Sequence, residues 1–181
     1  MYRYTLAFLT YDRKILMLNR QKSPWQGCWN GVGGKLEEGE TPIQSVQREI
    51  KEETGIDAVK PIFKGTVSWT VNDKDHGGMY LFLVHLKKDQ AIPTPLKTRE
   101  GILDFKSPEW LLNDENLGVV PTIRLFLSNM LDENDLLHYH CYFNDDELKD
   151  YVCTSLTESE ISSLLSAKLK LNAQSKVNSL K

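Results

Sequence analysis

The sequence predicts a mixed α/β fold with a C-terminal helical extension, on three observations. Strand-like apolar segments come in pairs separated by short turn-forming runs, which read as antiparallel hairpins. One strongly capped amphipathic helix, Thr41 to Thr54, interrupts them. Strands and helices do not alternate regularly, so a doubly wound parallel sheet is not expected.

Arg3 to Thr10 and Lys14 to Asn19 read as strands joined by the turn Tyr11-Asp12-Arg13. Residues 23–40 read as loop, with Gly27, Gly31, Gly33, Gly34 and Gly39 beside Pro24. Thr41 is placed to N-cap the following helix, Pro42 suits its first turn, Gln44 completes a capping box and Gly55 ends it. Ile62 to Val71 and Met79 to Leu86 form the next strand pair around the turn-rich Asn72-Asp73-Lys74-Asp75-His76-Gly77-Gly78. A Pro-containing loop leads to a short strand, Ile102 to Lys106. Pro121 opens a helix whose Ile123, Phe126, Leu127, Met130 and Leu131 form one apolar stripe. Leu137 to Phe143 and Leu148 to Thr154 form a late hairpin around Asn144-Asp145-Asp146. Thr157 to about Leu171 reads as an amphipathic helix with a Thr157/Glu160 capping box, and Asn172 to Lys181 as a polar, frayed tail.

With 181 residues, the chain suits one domain, residues 1–155, with an appended helix and tail, residues 156–181. Hydrophobic residues make up 40% and charged residues 26%, the profile of a folded soluble protein. No apolar run approaches the ~18 residues of a membrane span, and the N-terminus carries no signal-peptide pattern. Cys28, Cys141 and Cys153 lie far apart, which argues against a disulfide framework and suits a reducing, cytoplasmic location. A net charge of -3 attracts no polyanion globally, so no long nucleic acid is expected and an anionic ligand must be held locally.

The chemistry concentrates between Gly34 and Ile56. Glu49, Glu52 and Glu53 stand at i, i+3 and i+4 and so share one helix face. Like charges at that spacing repel, and in the last turns the helix dipole disfavours anions by roughly 0.3–1 kcal/mol each. A hard divalent cation relieves both, since carboxylate oxygens are its preferred ligands. Such ions bridge phosphate oxygens and lower the pKa of an attacking water. Gly31, Gly33 and Gly34 let the backbone approach closely, which aims a carbonyl at a metal or an amide at a phosphate. Glutamates on a generic helix are more often only a solvated face.

The whole constellation resembles the Nudix box, Gly-x5-Glu-x7-Arg-Glu-U-x-Glu-Glu-x-Gly-U with U aliphatic. Gly34, Glu40, Arg48, Glu49, Ile50, Glu52, Glu53, Gly55 and Ile56 fill every specified position. A chance match in a chain of average usage is on the order of 10⁻⁷. The resemblance implies a Nudix-type α/β/α sandwich around a mixed sheet. It implies a phosphoanhydride hydrolase that uses Mg2+, with Mn2+ able to substitute, on a nucleoside diphosphate derivative. By the same resemblance Glu49, Glu52 and Glu53 are metal ligands, with Glu49 a candidate for deprotonating the water. The Gly33 carbonyl and Glu100 are further metal candidates, although Glu100 reads equally well as an ordinary loop charge. Arg48 is expected to orient a glutamate, Glu40 to support the loop and helix start, and Lys35 to meet phosphate.

A narrower likeness covers roughly residues 4 to 154. Gly27-Cys28-Trp29-Asn30-Gly31-Val32-Gly33-Gly34-Lys35 is similar to the MutT-like branch that hydrolyses oxidised purine triphosphates such as 8-oxo-dGTP. In that branch the asparagine at the Asn30 position contacts the purine, and an amide offers both a donor and an acceptor. The branch places an acid pair before its C-terminal helix, where this chain has Leu117-Gly118-Val119-Val120-Pro121, with Asp114 and Glu115 slightly upstream. The expected reaction turns a nucleoside triphosphate into the monophosphate and pyrophosphate. Alternatives are ADP-ribose, a dinucleoside polyphosphate or an RNA 5′ end as substrate, or a nucleotide-sensing module without turnover. Trp25, Trp29, Trp69 and Trp110 are candidates for base stacking against the ordinary role of core packing, with Trp25 and Trp29 favoured because they flank the glycine loop. Arg20 and Lys22 read equally as phosphate contacts or surface charges. His138 and His140 alternate along a strand without metal-ligand spacing, and Cys28 reads as packing. The last helix is expected to dock on its own domain or on a second copy, so a homodimer stays open.

Overall fold

The computed structural model describes residues 2–132 and 135–168. Strands β1 (Tyr4–Tyr11) and β2 (Lys14–Arg20) pair antiparallel through a turn in which Asp12 and Arg13 take φ of 47° and 59°. Further along are β3 (Trp29–Asn30), α1 (Pro42–Thr54), β4 (Ile62–Val71), β5 (Asp75–His85), β6 (Leu96–Lys97) and β7 (Gly101–Lys106). The chain continues through α2 (Pro108–Leu112), α3 (Ile123–Asp132), β8 (Leu137–Asn144), β9 (Glu147–Ser155) and α4 (Glu158–Ser166). The strands join one sheet in the order β6-β7-β2-β1-β5-β4-β8-β9, with β3 added beside β2. β1 with β5 and β4 with β8 run parallel and the remaining pairs antiparallel, so the sheet is mixed.

The central strands are apolar on both faces, which forces cover on both sides. Leu6, Phe8, Ile15, Met17, Leu81 and Leu83 pack with Ile123, Phe126, Leu127 and Met130 of α3. Their neighbours Ala7, Leu9, Leu16, Leu18, Phe82 and Val84 pack with Val46 and Ile50 of α1. This strict parity makes an α/β/α sandwich with the mixed sheet in the middle.

α1 starts and stops where its residues dictate. The Thr41 hydroxyl accepts the Gln44 N–H at 3.3 Å and the Gln44 side chain accepts the Thr41 N–H at 2.9 Å. Such a cap stabilises a helix by about 1 kcal/mol. Gly55 closes the helix at φ 75°, a left-handed conformation that favours glycine.

Several boundaries differ from the sequence-based expectation. The turn after β4 is confined to residues 72–74, because Asp75 to Gly78 continue β5 against β4. Gly77 and Gly78 therefore serve close packing rather than turning: a Cβ on Gly77 would stand 2.3 Å from the Trp69 ring. α3 begins at Ile123 rather than Pro121, and the short β6 and α2 were not expected. α4 ends at Ser166; the expected continuation through residues 169–171 and the frayed tail Asn172 to Lys181 lie outside the described residues. Leu164 of α4 packs against the core on the α1 side, so the helix docks on its own chain.

A polar ladder links β8, β4 and β5 on the α1 side. The Ser68 hydroxyl lies 3.2 Å from His138 Nε2 and 2.6 Å from His140 Nδ1. The Thr70 hydroxyl lies 3.2 Å from His140 Nε2 and 3.0 Å from His76 Nδ1. The Thr66 hydroxyl meets His138 Nδ1 at 2.9 Å. Burial, with His140 beside it, pulls the His138 imidazole below its ordinary pKa. His138 and His140 thus share one side of their strand, engaged by hydroxyls.

Candidate active site

α1 presents Arg48, Glu49, Glu52 and Glu53 toward the glycine loop. Each of the five N–H donors of Arg48 has an acceptor. Nε and Nη2 grip the two oxygens of Glu40 at 2.7 and 2.9 Å, and Nη2 also reaches the Lys35 carbonyl at 3.1 Å. Nη1 donates to Glu49 at 2.9 Å and to Glu52 at 3.3 Å. The guanidinium holds the Glu40 carboxyl below the usual range. Glu40 in turn accepts the Glu37 N–H at 2.8 Å, which ties the loop to the helix.

Glu49 and Glu53 sit beneath the loop itself. The Glu53 carboxylate accepts the Gly33 N–H at 3.1 Å. Burial pushes the Glu53 carboxyl up to about 8; the Gly33 N–H opposes the shift, and the nearby charges of Glu49 and Glu100 add to it. Burial also raises Glu49, with Arg48 opposing. Glycine is required above them: Gly33 takes φ 154° with its Cα against the Thr5 carbonyl, and Gly34 lies on the Glu49 carboxylate. The β1 edge holds the loop in place through Thr5 N–H to the Gly34 carbonyl at 2.8 Å and Ala7 N–H to the Val32 carbonyl at 2.7 Å.

The glutamate face opens on a cavity of about 1130 Å³. Asn30, Gly33, Lys35, Arg20 and Glu100 line it together with Glu49, Glu52 and Glu53. Arg20 acts electrostatically on Glu53 while its Nε donates to the Pro24 carbonyl at 2.8 Å. Glu100 is partnered by Lys22, Nζ to carboxylate 3.2 Å. Asn30 uses its carbonyl locally, accepting the Gly31 N–H at 2.9 Å, so among the described residues its NH₂ group is left as a donor for the cavity it lines.

Trp29 does not line the cavity, which corrects its expected placement against a base. β3 is a strand, so Asn30 and Trp29 point to opposite sides. The Trp29 ring meets Trp110 edge-on at 6.3 Å with Lys106 Nζ 4.3 Å above it. Trp25 and Trp69 are the indoles in the cavity wall. Arg99, Tyr4 and Phe143, not among the residues expected at the site, also line it. Arg99 was detectable as the neighbour of Glu100; Phe143 was not, because only the pairing of β8 with β4 brings it there.

The donor set fits a hard divalent cation. It is all oxygen: three carboxylates and the Gly33 carbonyl, with the buried Thr5 hydroxyl in the same wall lacking any hydrogen-bond partner among the described residues. In the present side-chain positions Glu49 and Glu52 lean on Arg48, and among the described residues no three such groups converge on one point.

Comparison with known proteins follows the same lines. Residues 1–133 match the model of the NUDIX domain. The chain is 33% identical over 141 residues to an uncharacterized Nudix hydrolase of Bacillus subtilis (strain 168), covering 75% of this chain and 83% of that one. It is 31% identical over 114 residues to the oxidized purine nucleoside triphosphate hydrolase of Mus musculus, covering 62% and 67%. The mutator MutT protein of Bacillus halodurans superposes with a TM-score of 0.71 at 26% identity, over 84% of this chain and 97% of that one. No helix among the described residues is long and apolar enough to cross a membrane. With Gly34, Glu49, Glu52 and Glu53 of the box lining one cavity of an α/β/α sandwich, the chain belongs to the Nudix hydrolases, which act on phosphoanhydride bonds of small nucleotide derivatives and generally need divalent metal ions.

Proposed function

We propose that this enzyme hydrolyses nucleoside triphosphates to the monophosphate and pyrophosphate, with oxidised purine nucleotides of the 8-oxo-dGTP type among its substrates. The observation that carries the reading is one cavity that combines the glutamate face, the cations Arg20 and Lys35, the Asn30 amide and an aromatic wall. Those parts match the phosphate, metal and base ends of a nucleotide. The mouse relative, named for hydrolysis of oxidised purine nucleoside triphosphates, supports the choice of substrate.

Glu49, Glu52 and Glu53, with the Gly33 carbonyl and Glu100 once released from Lys22, are the groups to hold magnesium, for which manganese substitutes. A bound divalent ion supplies charge neutralisation at phosphate and a lowered pKa for the attacking water. The rest belongs to the protein. Arg48 fixes the position of Glu49 and ties the helix to the loop through Glu40. Lys35 and Arg20 offset the polyphosphate charge. Glu53, raised by burial in the metal-free protein, must lose its proton to hold the ion. Asn30 donates to a base acceptor. Residues 1–155 form the catalytic domain in this reading, α4 is an appendage, and the enzyme works in the cytoplasm on small nucleotides.

Pyrophosphate release with magnesium tests the proposal, measured as kcat/KM over ordinary and oxidised triphosphates, ADP-ribose, a dinucleoside polyphosphate and a triphosphorylated RNA. Oxidised purine triphosphates should lead the series. A higher value for ADP-ribose or the RNA end would replace the substrate, and no turnover of any of them would make the protein a sensor.

A further inference from the structure

We propose that the imidazoles of His76, His138 and His140, strung together by hydroxyls of β4, form an acid-sensitive latch that holds the β8–β9–α4 unit on the rest of the sheet.

The register puts these side chains on one face. Thr66 pairs with His138, Ser68 with His140 and Thr70 with His76. Each inner hydroxyl stands between two ring nitrogens. Ser68 lies between His138 Nε2 and His140 Nδ1, and Thr70 between His140 Nε2 and His76 Nδ1. The remaining nitrogen of His138, Nδ1, meets the Thr66 hydroxyl and, at 3.2 Å, the Tyr2 hydroxyl.

Proton counting sets the capacity of this row. A hydroxyl carries one proton and a neutral imidazole one N–H. With all three rings neutral, every contact is filled in a single direction: each Nε2–H donates to the next hydroxyl, and each hydroxyl donates to the next Nδ1. One added proton fits on any ring, because the hydroxyls beside it turn round to accept. A second does not fit. Two cationic rings leave a hydroxyl between them facing donors on both sides with its own proton stranded, and the two charges repel.

The surroundings do not change that count. Among the described residues, the ionisable groups facing the row are Tyr2, Tyr80 of β5, Tyr142 of β8 and Glu160 of α4. Asp150 of β9 stands beside Tyr142. Glu160 favours a positive charge at His138, but burial and His140 outweigh it. The closed row thus holds one proton where three free imidazoles would hold three. Acid therefore drives it open as pH falls through the ordinary imidazole range. The unit that opens is thinly held otherwise: no residue of α4 is buried, and β9 is exposed almost throughout. It carries Cys141, Phe143, Asp145 and Asp146 of the active-site cavity wall, so the same step opens that wall.

Hydrogen exchange of the full chain tests the latch at β8 amides 138–142, corrected for the intrinsic pH dependence of exchange. Between pH 6.5 and 5.5 the opening constant should rise about 30-fold in the wild type, about tenfold in His76→Gln and about threefold in His140→Gln. At pH 5.5 the β1 amides should stay better protected than those of β8, because only the C-terminal unit opens. Nitrogen NMR of the native protein at that pH should show no more than one imidazolium summed over the three rings, with His85, bonded to Thr10, counted apart. His76 is exposed, so its replacement keeps the test intact where His140→Gln fails to fold. More than one imidazolium in total, a wild-type rise no steeper than that of His76→Gln, or equal protection of β1 and β8 would each overturn the proposal.

Discussion

The Glu49 carboxylate occupies the space that a side chain on Gly34 would need: a Cβ there would stand 2.5 Å from Glu49 Cδ and Oε1. The glycine and the glutamate are fifteen positions apart in sequence, and each is defined by the other. Gly34→Ala should displace the far end of a flexible side chain rather than backbone, so the fold survives. A shift of about 1 Å at a reacting group is enough to lower kcat by about 10²-fold. Steady-state kinetics and a thermal melt check this together; wild-type kcat would refute the placement of Glu49.

Glu53→Gln should lower kcat by about 10²-fold or more, and EDTA should abolish activity until magnesium is restored. Glu38→Gln, on an exposed loop residue, should leave kcat near wild type. Equal losses at both positions would dissociate the chemistry from this helix face.

The raised carboxyl of Glu53 makes metal binding pH-dependent. Its folded pKa of about 8 exceeds the ordinary 4.5, so without metal the folded state holds a proton that the unfolded state has lost between those values. The contribution to stability is fully present below pH about 4.5 and disappears as pH rises through about 8. A cation binds the deprotonated form, so the rise in Tm caused by magnesium should grow from pH 6 to pH 8.5. A magnesium-induced Tm shift that is flat or shrinking over that range would contradict the assignment.

Arg48→Lys should remove the two-pronged grip on Glu40, because an ammonium cannot match a planar fork of five donors. Loss of hydrogen bonds to charged partners predicts about 2 kcal/mol of destabilisation in urea unfolding. Activity should fall as well, since Glu49 loses its anchor. Unchanged stability would show that Glu40 is held by the loop alone.

Asn30→Asp keeps an acceptor for the Gly31 N–H but replaces the donor facing the cavity with an acceptor. The ratio of kcat/KM for purine over pyrimidine triphosphates should fall about tenfold, a typical value for one base contact. An unaltered ratio would remove Asn30 from base recognition.

The glutamate face was legible because it is local: spacing at i, i+3 and i+4 within one capped helix needs no tertiary information. The same holds for the strand pairs and for α1. The opposed directions of Trp29 and Asn30 were not legible, since a strand of two residues leaves no period to read. Trp69 stood between a base-stacking and a core-packing role until Gly77 of the next strand gave its ring a flat seat in the cavity wall. The cavity end at Phe143 depends on β8 lying parallel to β4, a long-range pairing that no local pattern encodes.

The histidine and hydroxyl ladder across β8, β4 and β5 has a consequence for slippage. β9, the outer neighbour of β8, is exposed over nearly its whole length, so apolar burial there does little to hold the hairpin at one setting. A displacement of β8 by a single position would turn His138 and His140 toward the apolar α3 side. It would also leave the hydroxyls of Thr66, Ser68 and Thr70 without those imidazoles, at about 1–3 kcal/mol for each group that stays buried and unpaired. Polar pairing on one side of the sheet thereby indexes the strand whose opposite side carries Phe143 into the cavity.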